Sequence, residues 1–414
     1  MTTRKLRLVV VCPHFTPDIA PTGAVMTRIV EELAALGHEL HVVTSLPWYR
    51  QHAIELGWAG KLWRVEQTSW GSITRVNPFP GQTKQNLVRR AIGFGLFSLI
   101  AGVRGLRAGR GRIDGVLAMS PPLTLGLTGR FIATCRRAKL VFNIQDIFPD
   151  AAIQTKAITN PVVIRLARWL ERISYTTSDS VVLLSDDLLH NVEQKVSKSQ
   201  RNKLHVIPNF VDTKAITPRN RLTDYRRELG IGDGFVAMYA GNVGFSQSIE
   251  LLIAAAREIP SIDVVINGEG AARKSLQEMA HDCTNVHFVD YQPIERLGEV
   301  LASADLHIVP LRAGLASISV PSKVYSILAA ARPILAAIDA DTEIPRILVD
   351  SGAGFTVAPD DSSKFIPALR WLVDQSDLRV SMGVKGRQWV EQHVSPTAVA
   401  IAYQDLFVNE PKQR

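Results

Sequence analysis

The sequence predicts an α/β protein made of two doubly wound halves, each a parallel sheet with helices on both faces. Three observations carry that expectation. Short, continuous apolar runs recur along the chain, as expected of strands buried on both faces. Segments with apolar residues at helical spacing separate them, and this alternation builds parallel sheets. Midway, a polar stretch at 213–229, with Pro218 and several arginines, breaks the series, which then restarts without repeating the first half's sequence. The expected domains are therefore 1–207 and 208–393, with a last helical segment, 394–414, docking back on the first. At 414 residues, 46% hydrophobic and 21% charged, the chain has the length for two or three domains and ample core material.

The first strand is expected at 6–11. Pro13, Pro17 and Pro21 mark the following segment as a loop ending at Thr22-Gly23. Helical spacing of Val25, Ile29, Val30, Leu33 and Leu36 then runs to a stop at Gly37. A strand at 40–44 closes a βαβ unit, in which Gly23 would let backbone approach a ligand at the helix start. Further strands are expected at 113–118, 140–144 and 180–184, with helices over 123–136 and 161–177. The strand ending Asn143-Ile144-Gln145-Asp146 sets polar groups at its carboxyl end, where open α/β sheets bind ligands. Asp146 and Asp150 read either as loop caps or as a substrate-facing pair. Residues 205–209 form a strand that runs into a turn.

The second half restarts at 235–240. Gly241-Asn242-Val243-Gly244 leads to a helix over 246–259, and a strand at 263–266 ends in Asn267-Gly268-Glu269-Gly270. A strand at 286–289 precedes a helix over 294–303. The strand 306–309 stops at Pro310, a small-residue loop covers 313–319, and Pro321-Ser322-Lys323 opens the next helix. A serine oxygen at such a start can accept from an orphan helix N–H. The N–H groups left over, with the Lys323 ammonium beside them, suit an anion. An ordinary crossover with a solvated lysine accounts for the same letters equally well. Strands at 333–338 and 354–357 and helices at 362–374, 378–394 and 396–408 complete the series.

The net charge is +8, and its positive excess lies in the first half, around Arg89, Arg90, Arg104, Arg107, Arg110 and Arg112. These bracket an apolar run, 91–103, that is shorter than the roughly 20 residues a membrane span needs. The run suits a buried helix, or an interfacial helix whose arginines meet anionic lipid. No nucleic-acid motif or interleaved aromatic series accompanies it, so nucleic acid is not an expected partner. Cys12, Cys135 and Cys283 are odd in number and far apart, which argues against a disulfide framework and for a reducing compartment. Met1 leads almost directly into a strand, so no secretory leader is expected.

Two phosphate-compatible helix starts in the second half, Gly241–Gly244 and Ser322-Lys323, join the glycine loop of the first. They point to a nucleotide diphosphate held where the two sheets' edges face a cleft. Neither loop has the P-loop or dinucleotide spacing, and no nucleophile elbow or His-Cys cluster is present. Asp339-Ala340-Asp341 has the Asp-x-Asp form without a third ligand, so no metal is expected.

Taken together the motifs resemble the family 4 glycosyltransferases, retaining enzymes of the GT-B fold, in which two Rossmann-like doubly wound domains face a central cleft. The resemblance covers almost the whole chain. It rests on the Pro-rich loop to Gly23 with Leu33-Ala-Ala-Leu-Gly-His-Glu-Leu40, on Val206-Ile-Pro-Asn-Phe-Val-Asp212 and on Tyr239-Ala-Gly-Asn-Val-Gly244. Asn267-Gly-Glu-Gly270, Val320-Pro-Ser-Lys-Val-Tyr325 and Ala329-Ala-Ala-Arg-Pro333 complete it. The Gly-Asn-x-Gly and Val-Pro-Ser-Lys forms are similar to the branch that builds O-antigen and capsule-like polysaccharides, fucosaminyl transferases included.

The resemblance implies a nucleotide-sugar donor in the second domain and an acceptor in the first. It implies retention of anomeric configuration, with the leaving phosphate helping to deprotonate the acceptor hydroxyl. Cations and helix N-termini, rather than a metal or other cofactor, would stabilise the diphosphate as charge develops. Donor contacts would fall on Gly23, Asn242, Gly244, Gln247, Glu269, Arg312, Pro321, Ser322 and Ser326, and catalytic roles on Gln145, Asp146 and Lys323. Several positions depart from the family. Uncharged Asn242 and Gln247 stand where many members have Arg and Lys, Ile318 and Ser326 where members have paired glutamates, and Gln145 where members have histidine. Lys323 and Arg312 are therefore expected to supply the missing positive charge.

The reading is a transferase at the cytoplasmic membrane face, adding a sugar to a lipid-linked or glycan acceptor and touching anionic lipid through 89–112. A nucleotide-sugar epimerase would need acid/base carboxylates in the cleft. A nucleotide-sugar-binding or scaffold protein of weak activity would account for the missing glutamates.

Overall fold

The computed structural model describes residues 4–50, 53–79, 87–150, 153, 158, 160–315 and 322–408, with the side chains of 87–91 and 322 excepted. The chain divides into two compact units, Met1–Asn209 with Val399–Arg414, and Phe210–Ala398.

The first unit runs β1 (Arg7–Val11), α1 (Pro21–Ala35), β2 (Glu39–Ser45), β3 (Trp63–Thr68), β4 (Gly71–Val76) and α2 (Leu87–Leu106). It continues with β5 (Gly115–Ser120), α3 (Thr124–Arg136), β6 (Lys139–Ile144), α4 (Pro161–Thr177), β7 (Ser180–Leu183), α5 (Asp186–Glu193) and β8 (Leu204–Val206). The sheet order is β3-β4-β2-β1-β5-β6-β7-β8, parallel except for β3, which pairs antiparallel to β4. The central strands are buried throughout, as their apolar runs imply. The β3–β4 hairpin was not expected from the sequence: β3 is an exposed edge strand, Trp-Arg-Val-Glu-Gln-Thr, without an apolar run. Helix α1 starts at Pro21, whose missing N–H costs nothing there, so Gly23 lies inside the helix rather than in a loop before it.

The second unit runs α6 (Asp224–Glu228), β9 (Phe235–Ala240), α7 (Glu250–Glu258), β10 (Ile262–Asn267), α8 (Arg273–Met279), β11 (Val286–Val289) and α9 (Leu297–Ala302). Then come β12 (Leu306–Pro310), α10 (Ser322–Ala329), β13 (Ile334–Ala337), α11 (Glu343–Ser351), β14 (Gly354–Val357), α12 (Ser362–Asp374) and α13 (Ser376–His393), after which α14 (Pro396–Val408) passes back into the first unit at Val399. All strands are parallel, in the order β11-β10-β9-β12-β13-β14. One core packs α7 and α12 against the sheet, and another gathers α10, α11 and α13. Helix α7 begins at Glu250, later than the expected start at 246, because turns closed by Gln247 N–H on Gly244 O and by Leu251 N–H on Ser248 O precede it.

The end of the chain completes the first unit. Asn143 Nδ2 donates to Tyr403 Oη at 2.6 Å, and His38 Nε2 lies 2.8 Å from Gln404 Oε1. Phe407 covers Gly115 so closely that a Cβ there would lie 2.2 Å from Phe407 Cδ1.

Candidate functional site

The second sheet reverses its winding between β9 and β12, and in open parallel sheets ligands bind outside the carboxyl ends of the strands at such a switch. The residues that follow β9, β10 and β12 meet there. Gly241 N–H donates to Asn267 O at 2.9 Å, and Val243 N–H donates to Glu269 O at 2.8 Å. These close approaches explain the glycines. Gly268 has φ +143° and would place a Cβ 1.9 Å from Gly241 O, so only glycine allows the two loops to lie side by side.

Two cations reach this edge and end differently. Arg312, two residues past β12, is fully engaged: Nε donates to Phe245 O at 2.7 Å and Nη2 pairs with Glu250 Oε1 at 2.6 Å. Its Nη1 lies 3.4 Å from Asp360 Oδ1. Burial works against ionisation of Asp360, but the Ser248 hydroxyl, the Ala313 N–H and Arg312 hold its carboxyl below the usual range. Arg312, expected to supply positive charge, thus ties loops together with its guanidinium already paired to two carboxylates.

Lys323, on the first turn of α10, has no carboxylate partner among the described residues. Its Nζ sits 3.3 Å from Tyr239 Oη and 5.2 Å from the Tyr239 ring centroid. Gly241, at φ +145°, leaves the room: a Cβ there would be 2.1 Å from Nζ. The residue as a whole stays exposed, yet the crowding of its ammonium end by protein atoms lowers its pKa from the ordinary lysine value. Tyr239 Oη in turn donates to Asn242 O at 2.5 Å.

The other expected donor contacts are placed as follows. Asn242 is exposed beside Gly244, whose N–H donates to Gln247 Oε1 at 3.1 Å, so Gln247 closes a turn and does not lie on the helix. Glu269 is exposed between two glycines of positive φ. Ser326 sits one helical turn beyond Lys323 on α10. Pro321 and Ile318 lie outside the described residues. Asp339, read as half of an Asp-x-Asp pair, accepts from Gly314 N–H at 2.7 Å. No cluster of three metal-ligating side chains occurs among the described residues.

In the first unit, Gln145 is buried with both ends of its amide occupied. Nε2 donates to Asn143 Oδ1 at 2.7 Å, and Oε1 accepts from Asn209 Nδ2 at 3.0 Å. With the Asn143–Tyr403 bond this makes a closed polar chain, a structural use of the position. Asp146 is exposed. Asp150 is drawn away from it, sharing Lys195 with Glu171 at 2.6 and 2.7 Å. Gly23 admits His14: a Cβ on it would lie 2.9 Å from His14 Cβ. Sequence reasoning missed His14 and Asp18, whose side chains meet at 2.6 Å in the loop after β1. Their i,i+4 spacing beside prolines was the one available signal.

Residues 22–209 match the Glycosyl transferase 4-like domain family, and residues 234–375 match Glycosyl transferases group 1, together most of the chain. The colanic acid biosynthesis glycosyl transferase WcaI of Escherichia coli is 24% identical, over 88% of this chain and 91% of that protein. Among solved structures, sucrose-phosphate synthase from Thermosynechococcus elongatus superposes with a TM-score of 0.66 at 16% identity, covering 98% of each chain. Anabaena HepE, solved in complex with UDP, superposes at 0.63 with 12% identity, covering 97% of this chain and 100% of that one. Two domain matches in succession and two parallel sheets of this topology place the chain in the family 4 glycosyltransferases, with the GT-B fold.

Proposed function

We propose that this glycosyltransferase moves a sugar, with retention, from a nucleotide-diphosphate donor to a lipid-linked or glycan acceptor in cell-envelope polysaccharide synthesis. The observation that carries the donor side is Lys323, an ammonium without a carboxylate partner among the described residues, at the carboxyl edge of β9. A diphosphate there would gain a charge-assisted contact, joined by the amides that open α10. That contact strengthens as the leaving diphosphate takes up charge, so it favours the transition state over the bound donor. The diphosphate oxygen released from the sugar is then placed to take the acceptor's proton, and in this reading no metal is needed. HepE's complex with UDP, and the colanic acid biosynthesis for which WcaI is named, support the donor class and the polysaccharide setting.

The acceptor side is a proposal of the same kind. Helix α2 exposes Ile92, Leu96, Leu99 and Val103, one stripe at helical spacing, with exposed Arg107, Arg110 and Arg112 just beyond its end. Across α3, helix α4 exposes Val162, Leu166 and Trp169. No helix among the described residues is long and apolar enough to cross a membrane. The stripe suits peripheral contact with anionic lipid, where a lipid-linked acceptor resides.

The test is incubation with a panel of labelled nucleotide-sugars and a bacterial membrane extract. Label in extracted glycolipid or polysaccharide is the expected result. Conversion of free nucleotide-sugar to another sugar, or binding without product, overturns it. Sedimentation with phosphatidylglycerol vesicles but not with phosphatidylcholine vesicles is expected of the stripe, and equal recovery from both removes the lipid contact.

A further inference from the structure

The first sheet changes direction between β1 and β5, and the loop leaving β1 there carries a histidine–carboxylate pair that the donor chemistry does not use. The Asp18 side chain is 0% exposed, and its Oδ2 lies 2.6 Å from His14 Nδ1. Its other oxygen accepts from Tyr49 N–H at 3.2 Å. A carboxylate so placed favours a proton on Nδ1 and fixes the ring, and in the neutral imidazole Nε2 is then a hydrogen-bond acceptor. Nε2 has no hydrogen-bond partner among the described residues, and 11% of the side chain remains open to solvent.

Two aromatic rings lie against the imidazole. Trp48 stacks on His14 at 5.6 Å and 27°, and Tyr49 meets it edge-on at 5.4 Å and 79°. Tyr49 is exposed. These aromatics come from the loop after β2, while the glycine that admits His14 belongs to α1, so three separate segments converge on one imidazole. A fixed polar atom beside two aromatic rings suits a pyranose, whose C–H faces pack on rings while a hydroxyl donates to the polar atom.

We propose that His14, held by Asp18, is an acceptor-binding residue: its Nε2 takes a hydrogen bond from a hydroxyl of a sugar lying against Trp48 and Tyr49. The proposal rests on the transferase reading only in calling that sugar the acceptor.

The experiment is calorimetric titration of the full chain with octyl β-D-glucoside, octyl β-D-galactoside and octyl N-acetyl-β-D-glucosaminide, each below its micelle threshold. At least one is expected to bind, and His14→Ala to weaken it about 10-fold or more, the scale of one lost hydrogen bond to a fixed partner. His14→Gln, close in size and still an acceptor, is expected to retain more affinity than His14→Ala. Asp18→Asn should weaken binding less than His14→Ala, since the asparagine oxygen still accepts from Nδ1–H. Failure of the wild-type chain to bind any of the three, or equal affinity in wild type and both His14 variants, overturns the proposal. Circular dichroism of His14→Gln separates misfolding from loss of contact. Labelled-donor turnover with glycoside binding that ignores His14 sinks this assignment and keeps the transferase. His14-dependent binding without turnover does the reverse.

Discussion

Two carboxyl edges built on the same plan treat their polar groups in opposite ways. At the edge of the first sheet, Asn143, Gln145, Asn209 and Tyr403 satisfy one another in a chain of hydrogen bonds. At the edge of the second, Arg312 is neutralised by two carboxylates while Lys323, on the next helix, is paired with none among the described residues. Closed polar networks add to stability and specify structure. An ammonium crowded by protein without a counter-charge does the opposite, and such groups gather where a ligand supplies the missing charge.

The sharpest way to break that contrast is Lys323→Met. Transfer is expected to fall by about 100-fold or more, the usual scale for losing one transition-state charge contact, as measured by initial rates with labelled donor. Stability at pH 7 should not fall. A lysine whose pKa is lowered on folding binds its proton less well in the folded state, so its charge costs stability at neutral pH, and that cost is relieved as pH rises through the folded pKa. Donor affinity should accordingly decline on raising the pH before an ordinary lysine would deprotonate. A variant with full turnover would return Lys323 to the role of an ordinary surface residue.

The second unit also carries a buried histidine that makes it acid-sensitive. His307 in β12 is fully buried, with Nε2–H donating to Leu301 O at 2.9 Å, and burial holds its pKa down at about 4. In the unfolded chain it takes a proton below about pH 6.5. Its neutral form therefore supports the fold above that pH, and the support is lost as pH falls from 6.5 toward 4. The loss should reach on the order of 3 kcal/mol across the window. Urea unfolding at several pH values should show the slope, and His307→Gln should make it shallower.

In the first unit, Asn143→Ala leaves buried partners of its amide unsatisfied and is expected to cost about 1–3 kcal/mol in chemical unfolding. Glycoside binding at His14 should survive it. Arg312→Ala is the smallest expected change, within about 1 kcal/mol, because its ion pairs are part-exposed. Donor turnover close to wild type in that variant would sharpen the distinction between the two cations, and loss as large as that of Lys323→Met would erase it.

The parallel strands were legible because burial on both faces leaves an unbroken apolar run, as in Leu-Val-Val-Val before Cys12. Strand β3 was not, since an exposed edge carries Arg64, Glu66 and Gln67 and looks like a loop. Lys323 could be picked out from local letters, because a helix start is a local event. Arg312's fate could not: Glu250 and Asp360, which neutralise it, lie 62 and 48 residues away along the chain. His14 was hidden for the same reason, its aromatic neighbours arriving from the loop of another strand.

The return of α14 has a consequence for how this protein is made. Side chains from Tyr403, Gln404 and Phe407 finish the interior around Asn143, His38 and Gly115. The half that leaves the ribosome first therefore lacks one wall when Asn209 emerges, and α14, which supplies it, does not begin until Pro396. What is translated first is completed last.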